Sequence, residues 1–197
     1  MALSAYLTIV AEKQGLIRGS VTQKGREGKI MIVAVNHEIV CPRDPASGIP
    51  TGKRVHKPLI LTKELDRSSP LLYNVLTHNE NLKSLDLQFW QPSPTGAERQ
   101  HFSIKLTNAN ISGIQFKLGN TRSPKLARYA EQEEISFTYQ KIEWSWNEGG
   151  VTAEDDATES RNRFVAPTTP GPVSIYVVLR DERGGTTWQT LQVEVVP

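Results

Sequence analysis

At 197 residues, with 38% hydrophobic and 7% aromatic side chains, the chain is sized for one domain, or one domain with an appendage, and can bury a real core. A formal net charge of +2 is close to balance and excludes a dedicated binder of nucleic acid or membrane surface, which carries a basic face. A single cysteine, Cys41, excludes an intramolecular disulfide, and beside Pro42 it reads as a small buried residue rather than a nucleophile.

The chain opens with "MALSAYLTIVAEKQG", which lacks the basic n-region of a signal peptide, so Tyr6, Ile9 and Val10 read as a first β-strand. No apolar run approaches the ~20 residues of a membrane helix, and no membrane insertion is predicted. Synthesis and folding in the cytoplasm, without Sec-type export, are the expectation. "GKIMIVAVNHEIV" is an apolar, β-branched run expected to form a strand covered on both faces.

Further along, "PLILT" reads as a strand and is followed by one helix. Ser68 or Ser69 can cap that helix, Pro70 fits its first position, and Leu72, Val75 and Leu76 give it an apolar stripe. It runs for about ten residues and fades at "THNEN". "LKSLDLQFW" then alternates cleanly, with Leu85, Leu87 and Phe89 on one face, and "HFSIKLTNA" repeats the pattern with Phe102, Ile104 and Leu106. "GIQFKLG" offers Ile114, Phe116 and Leu118. In "EISFTYQKIEWSW" the apolar parity switches between Tyr139 and Ile142. That implies a β-bulge near Gln140–Lys141, or a strand that changes the face it buries. "NEGGVTAEDDATESRNR" is polar and reads as a linker or long loop, its "AEDD" solvated or, alternatively, a calcium loop. Two alternating strands around "DERGG" close the chain. The fold class is mainly β, a barrel with one short flanking α-helix and a C-terminal β-hairpin extension.

The chemistry-bearing stretches mostly exclude catalysis. Gly48, Gly52 and Lys53 look like a phosphate loop, but the spacing is one residue too short for G-x-x-x-x-G-K. Arg54 stands where Ser or Thr would hold magnesium, Pro50 and Pro58 interrupt the segment, and a strand follows instead of a helix. The basic group Lys53, Arg54, His56 and Lys57 lacks interleaved aromatics, so a solvated loop or a subunit contact is favoured over a nucleic-acid patch. His37, His56, His78 and His101 are scattered without metal-ligand spacing, and Glu133 and Glu134 lie on opposite strand faces. No catalytic residue, metal or cofactor is predicted.

Three stretches together carry a resemblance: "AYLTI", "CPRDPASGIPTGKRVHKPLILTKELDRSSPLLYNVL" and "EEISFTYQKIEWSWNEGGVTAEDD". Over about residues 2–156 the chain resembles Hcp, the tube protein of bacterial type VI secretion systems. The resemblance implies a small β-barrel that assembles as a hexameric ring. Such rings stack into a tube inside a contractile sheath, tipped by the VgrG spike. The tube is fired from the cytoplasm into a neighbouring cell or the extracellular space, and some rings hold effector proteins in the lumen. It also implies that the loop from about Pro42 to Pro58 reaches adjacent subunits. Arg43, Asp44, Gly48, Thr51, Gly52, Lys53, Arg54, His56, Lys57 and Pro58 are then the contact residues, with Lys53, Arg54 and Lys57 expected to meet carboxylates across the junction between rings.

The tube domain is expected over 1–156 and a linker with a β extension over 157–197. The extension resembles the closing strands of bacterial immunoglobulin-like or PKD-like domains. Two strands alone bury no core. They either dock on the barrel, borrow strands such as "IEWSW", or pair with a neighbouring subunit, with Tyr176 and Trp188 as candidate contacts. A specialised subunit whose extension is an effector or cargo adaptor, and a generic phage-tail-tube-like protein, are the alternatives.

Overall fold

The computed structural model describes residues 4–93, 97–124, 126, 129–148 and 150–157, and the backbone of two further strands, Gly171–Arg180 and Thr186–Val195. In chain order the elements are β1 (Ala5–Ala11), β2 (Gly15–Ile17), β3 (Ile30–Ile32), β4 (Ala34–Asn36), β5 (Ile39–Val40), β6 (Val55–His56), β7 (Leu59–Glu64), α1 (Ser69–Thr77), β8 (Leu82–Pro92), β9 (Glu98–Lys117), β10 (Gln132–Trp146), β11 (Val151–Asp156), β12 (Gly171–Arg180) and β13 (Thr186–Val195). The chain divides into two compact units, Met1–Ser160 and Arg161–Pro197.

In the first unit the antiparallel order β1-β8-β9-β10-β7 forms the wall. The run Ile30–Asn36 closes it. Its first half pairs with β1 (Ala5↔Ile32, Leu7↔Ile30) and its second half with β7 (Val35↔Leu61). At the crossover the Val33 N–H donates to the Thr62 carbonyl at 2.9 Å. The expected doubly covered strand is therefore corrected to short pieces in which Ile30 and Ile32 are buried while Val33 and Ala34 are exposed. A run that changes partner midway must twist, and Val33 is where it does.

Alternation dictates the core. Leu7, Ile9, Leu59, Leu61, Leu85, Leu87, Leu106, Ile135, Phe137 and Ile142 all point inward and are fully buried. "HFSIKLTNA" and the "GIQFK" of "GIQFKLG" belong to one 20-residue strand, β9. Its far end runs out of the core, leaving Phe116, and Leu118 just beyond the strand, exposed.

The parity switch has a collective cause. Leu85, Leu106 and Ile142 form one buried rung, and Leu82, Ala109 and Tyr139 the next, three residues away in all three strands. An odd step moves the inward side chains to the other parity in β8, β9 and β10 together. Asn108, at φ 50°, makes the bend in β9, and its amide donates to Gln140 Oε1 at 3.0 Å. No register shift occurs at Gln140–Lys141; the irregularity between β9 and β10 lies at Ser136/Phe137. Of the two sequence readings, the strand that changes its buried face is the one observed.

α1 lays Leu72 and Val75 into the core against β9. Ser68 occupies the N-cap position, but its hydroxyl donates to Asp66 instead of capping, and Pro70 is the second helical residue, not the first. Ser69 turns inward, toward Lys63 and Glu133.

In the second unit, β12 and β13 pair antiparallel from Gly171↔Val195 to Arg180↔Thr186. This register puts Val173 opposite Val193 and Ile175 opposite Leu191, with Tyr176 opposite Thr190 and Trp188 opposite Val178. The "DERGG" turn at 181–185 and the linker at 158–170 lie outside the described residues. The strand "IEWSW" has no free edge to lend: Ile142–Trp146 pairs with β9 on one side and β11 on the other.

Candidate functional site

Residues 38–57 leave the wall as a two-legged arm. Its legs pair at the base (Ile39↔His56, Val40↔Val55), and the Lys57 N–H donates to the Glu38 carbonyl at 3.0 Å. Lys57 Nζ also meets Glu38 at 2.8 Å, an exposed pair of little energetic weight.

The tip is organised by its own backbone. Arg43 bridges Pro50, the Thr51 N–H donates to the Pro42 carbonyl, and the Asp44 N–H to Ile49, both at 2.9 Å. Gly48, at φ 69°, supplies the left-handed turn, and its N–H donates to the Asp44 carbonyl at 2.9 Å. Its own carbonyl accepts from Arg43 at 3.0 Å. The Asp44 carboxylate accepts from the Ser47 hydroxyl and the Ser47 backbone, which holds it below the usual carboxylate range. These amides are spent within the loop, so Gly48, which resembles part of a phosphate cradle, serves as a turn. Gly52, Thr51, Lys53 and Pro58 are exposed, as is Ile49 at 63%. Cys41 is also exposed, contrary to the buried reading, because it sits on the outgoing leg beyond the wall.

The arm's root is where charge concentrates. Arg54 grips the Asp155 carboxylate through Nε and Nη2, and Nη2 also donates to the Asp156 carbonyl at 2.9 Å. His56 Nε2 lies 2.9 Å from the same carboxylate. The other face of His56 meets the Tyr139 hydroxyl, Nδ1 to oxygen 3.0 Å, and His37 Nε2 meets that hydroxyl at 2.6 Å. Burial pulls Asp155 upward, but Arg54 and His56 outweigh it and hold the group below the usual carboxylate range. Burial, together with the Asp155 charge, pushes the Tyr139 phenol up to about 12.

This geometry revises two expectations. "AEDD" belongs to strand β11 and is the anchor for the arm, not a solvated loop. Arg54 and Lys57, expected to reach a neighbouring subunit's carboxylates, are paired with Asp155 and Glu38 of their own chain. Among the described residues no group of three or more His, Cys, Asp or Glu is arranged to hold a metal ion.

A second polar constellation escaped the sequence reading. Lys63 and Glu133 are fully buried, with Nζ 2.7 Å from Glu133 Oε1. Nζ also donates to Ser69 Oγ and meets Asp66 Oδ1, both at 2.9 Å, and the Ser69 hydroxyl donates to Glu133 at 2.8 Å. Burial raises Asp66, yet the Ser68 and Lys63 hydrogen bonds win and lower it. The signal was present: Lys63 shares inward parity with Leu59 and Leu61, Glu133 with Ile135 and Phe137, and they are direct partners across β7 and β10. "TKELDRSSP" thus encodes a fastening of α1 to the wall.

The described unit is a closed, mainly-β domain with a projecting, self-folded arm and a helix pinned through a buried ion pair. Comparison with known proteins gives its class. Residues 6–146 match the family model described as "Type VI secretion system effector, Hcp". A curated relative, the "Major exported protein" of Pseudomonas aeruginosa, is 38% identical over 165 residues, covering 79% of this chain and 96% of its own. The solved "Crystal structure of Hcp protein" is 32% identical at a TM-score of 0.75, covering 80% of this chain and 99% of that one. "Secreted protein Hcp3 from Pseudomonas aeruginosa" is 29% identical at 0.66, covering 81% and 100%. The chain belongs to the Hcp family and is a structural subunit of the type VI secretion tube.

Proposed function

We propose that this chain forms hexameric rings that stack head to tail into the inner tube of a type VI secretion system, and that the arm makes the contact between copies. The observation that carries the reading is the arm's construction. Its root is tied to β11 through Arg54, His56 and Asp155, while its tip satisfies its own backbone and still presents Ile49 and Lys53 outward. A rigid projection with an apolar residue and a cation at its end suits a heterologous contact, which propagates when rings stack. The VgrG spike, the contractile sheath and luminal effectors are the partners this role brings, and export through the secretion apparatus is its outcome.

Native mass spectrometry with negative-stain imaging tests the reading. Six-fold rings support it, and a strict monomer at high concentration refutes it. Lys53→Glu, which touches no described intrachain partner, should weaken stacking and leave the subunit folded; unchanged tubes would remove the arm from the contact. Arg54 is unsuited to that test, because its reversal would set two carboxylates against each other inside one chain.

A second reading concerns the extension. The Pseudomonas aeruginosa relative and the solved Hcp protein each span about four-fifths of this chain and nearly all of their own length, which leaves about a fifth of this chain beyond what they match. We propose the extension as an adaptor for cargo or a neighbouring component, with Tyr176 and Trp188 in the contact. Truncation after Ser160 should keep the rings and abolish capture of that component.

A further inference from the structure

His37 follows β4 at the start of the outgoing leg, His56 lies on the returning leg, and both rings converge on one atom of the wall, the Tyr139 hydroxyl of β10. We propose that Tyr139, held between His37 and His56, is an acid-opened latch that pins both legs of the arm to the barrel.

Counting protons gives the behaviour. The phenol has one proton, so it donates to one ring and accepts from the other. Asp155 only accepts, so His56 Nε2, at 2.9 Å, carries hydrogen in every closed state. With His56 neutral, its Nδ1 accepts from Tyr139, and His37 Nε2–H donates to the phenol oxygen. With His56 protonated, Nδ1–H donates to that oxygen and Tyr139 donates to the bare Nε2 of a neutral His37. Both arrangements satisfy the phenol and the two ring nitrogens that face it. With both rings protonated, two cationic donors face one oxygen and the phenol proton has no acceptor. The latch therefore holds one extra proton and rejects a second.

The surroundings favour this order of events. Asp155 on β11 accepts from His56 Nε2 at 2.9 Å and is shared with Arg54. His37 has no carboxylate among its described partners; burial, and then the nearby His56, push it below the ordinary imidazole range. Glu38 is engaged by Lys57, and Glu154 by Lys141 at 2.7 Å. Tyr139 stays neutral throughout. The sign follows: the open arm binds the second proton more readily than the closed one, so closure weakens as pH falls below the ordinary value of about 6.5. The weakening is complete below His37's own lowered value.

The latch concerns how the arm is held by its own chain, and it is independent of what the arm touches. Hydrogen exchange of peptides spanning 39–57 tests it from about pH 8 to about pH 5, corrected for intrinsic rates, with assembly state followed in parallel. The full-length protein should show arm exchange accelerated on the order of tenfold in acid, as expected for local opening, with β1 and β10 core peptides unchanged. Tyr139→Phe should give fast arm exchange at every pH. His37→Gln, which keeps a neutral donor and acceptor, should stay protected in acid. Arm exchange in the unmodified chain that ignores pH, or His37→Gln opening in acid as the unmodified chain does, overturns the proposal. That second result would also follow from ring dissociation alone, so the two causes separate. Should either variant fail to fold, imidazole resonances of the unmodified chain decide: two coupled titration steps, the lower one coincident with arm opening, are required.

Discussion

Replacing Lys63 by Met removes the cation paired with a fully buried carboxylate, Glu133. Both side chains of the pair are 0% exposed, so water screens neither. After the change Glu133 keeps one hydrogen bond, from Ser69 at 2.8 Å, and Asp66 loses its contact at 2.9 Å. Breaking one partner of such a pair costs about 3–5 kcal/mol, because the remaining charge is left uncompensated. A domain of this size has roughly 5–15 kcal/mol in hand, so Lys63→Met should survive at low temperature but be severely weakened. The double variant Lys63→Met/Glu133→Leu removes both charges and costs Ser69 and Asp66 their hydrogen bonds to the pair, about 1 kcal/mol each, while Asp66 keeps those from Ser68 and Ser20. It should recover at least about 2 kcal/mol relative to the sum of the single changes. Urea unfolding at fixed protein concentration reads this directly. With a slope near 2 kcal/mol/M, the single variant's midpoint moves down by about 2 M. A loss below about 1 kcal/mol for Lys63→Met, or strict additivity of the two changes, would refute the reasoning.

Other outcomes follow from the bend and the arm's root. Asn108→Val forces a β-branched residue into φ 50° and should cost about 1–2 kcal/mol, whereas Asn108→Gly should stay close to the parent; thermal melts distinguish them. Asp155→Asn removes the anchor shared by Arg54 and His56. The Arg54–Asp155 pair is partly exposed, at 35% and 24%, so the cost in stability should stay near or below about 1 kcal/mol. Its clearer signature is faster proteolytic cleavage within residues 41–53. Asp155 sits below its ordinary value in the folded chain, so its contribution is complete above about pH 4 and is lost as pH falls through the folded value. An acid-titration limb present in the parent and missing in Asp155→Asn is the expected result.

Local pattern alone was enough for the inward faces of β8 and β9 and for the helix. Strict alternation in "LKSLDLQFW" and "HFSIKLTNA" has one solution, an inward face of Leu85, Leu87, Ile104 and Leu106, because period two matches the pleat and nothing else. Leu72 and Val75 behind Pro70 are equally unambiguous at helical spacing. The parity switch in β10 was visible, and so was the pair of explanations for it. The motif residues that carry the resemblance also identified the family, since "TGKRVHKPLILTKELD" is long and specific.

Tertiary structure alone decided which residues meet. Nothing local says that Asp155 anchors Arg54 across 101 positions, or that His37 and His56 share a phenol on β10. Polar residues that look solvated in a string become partners only when sheet closure brings distant strands together. The choice between a bulge and a changed face also lay beyond β10, because three neighbouring strands bend at the same rung. Hydrophobic period is written within a few residues of itself. Ion pairs, latches and the partner change at Val33 depend on register between segments, which the chain sets only by closing the barrel.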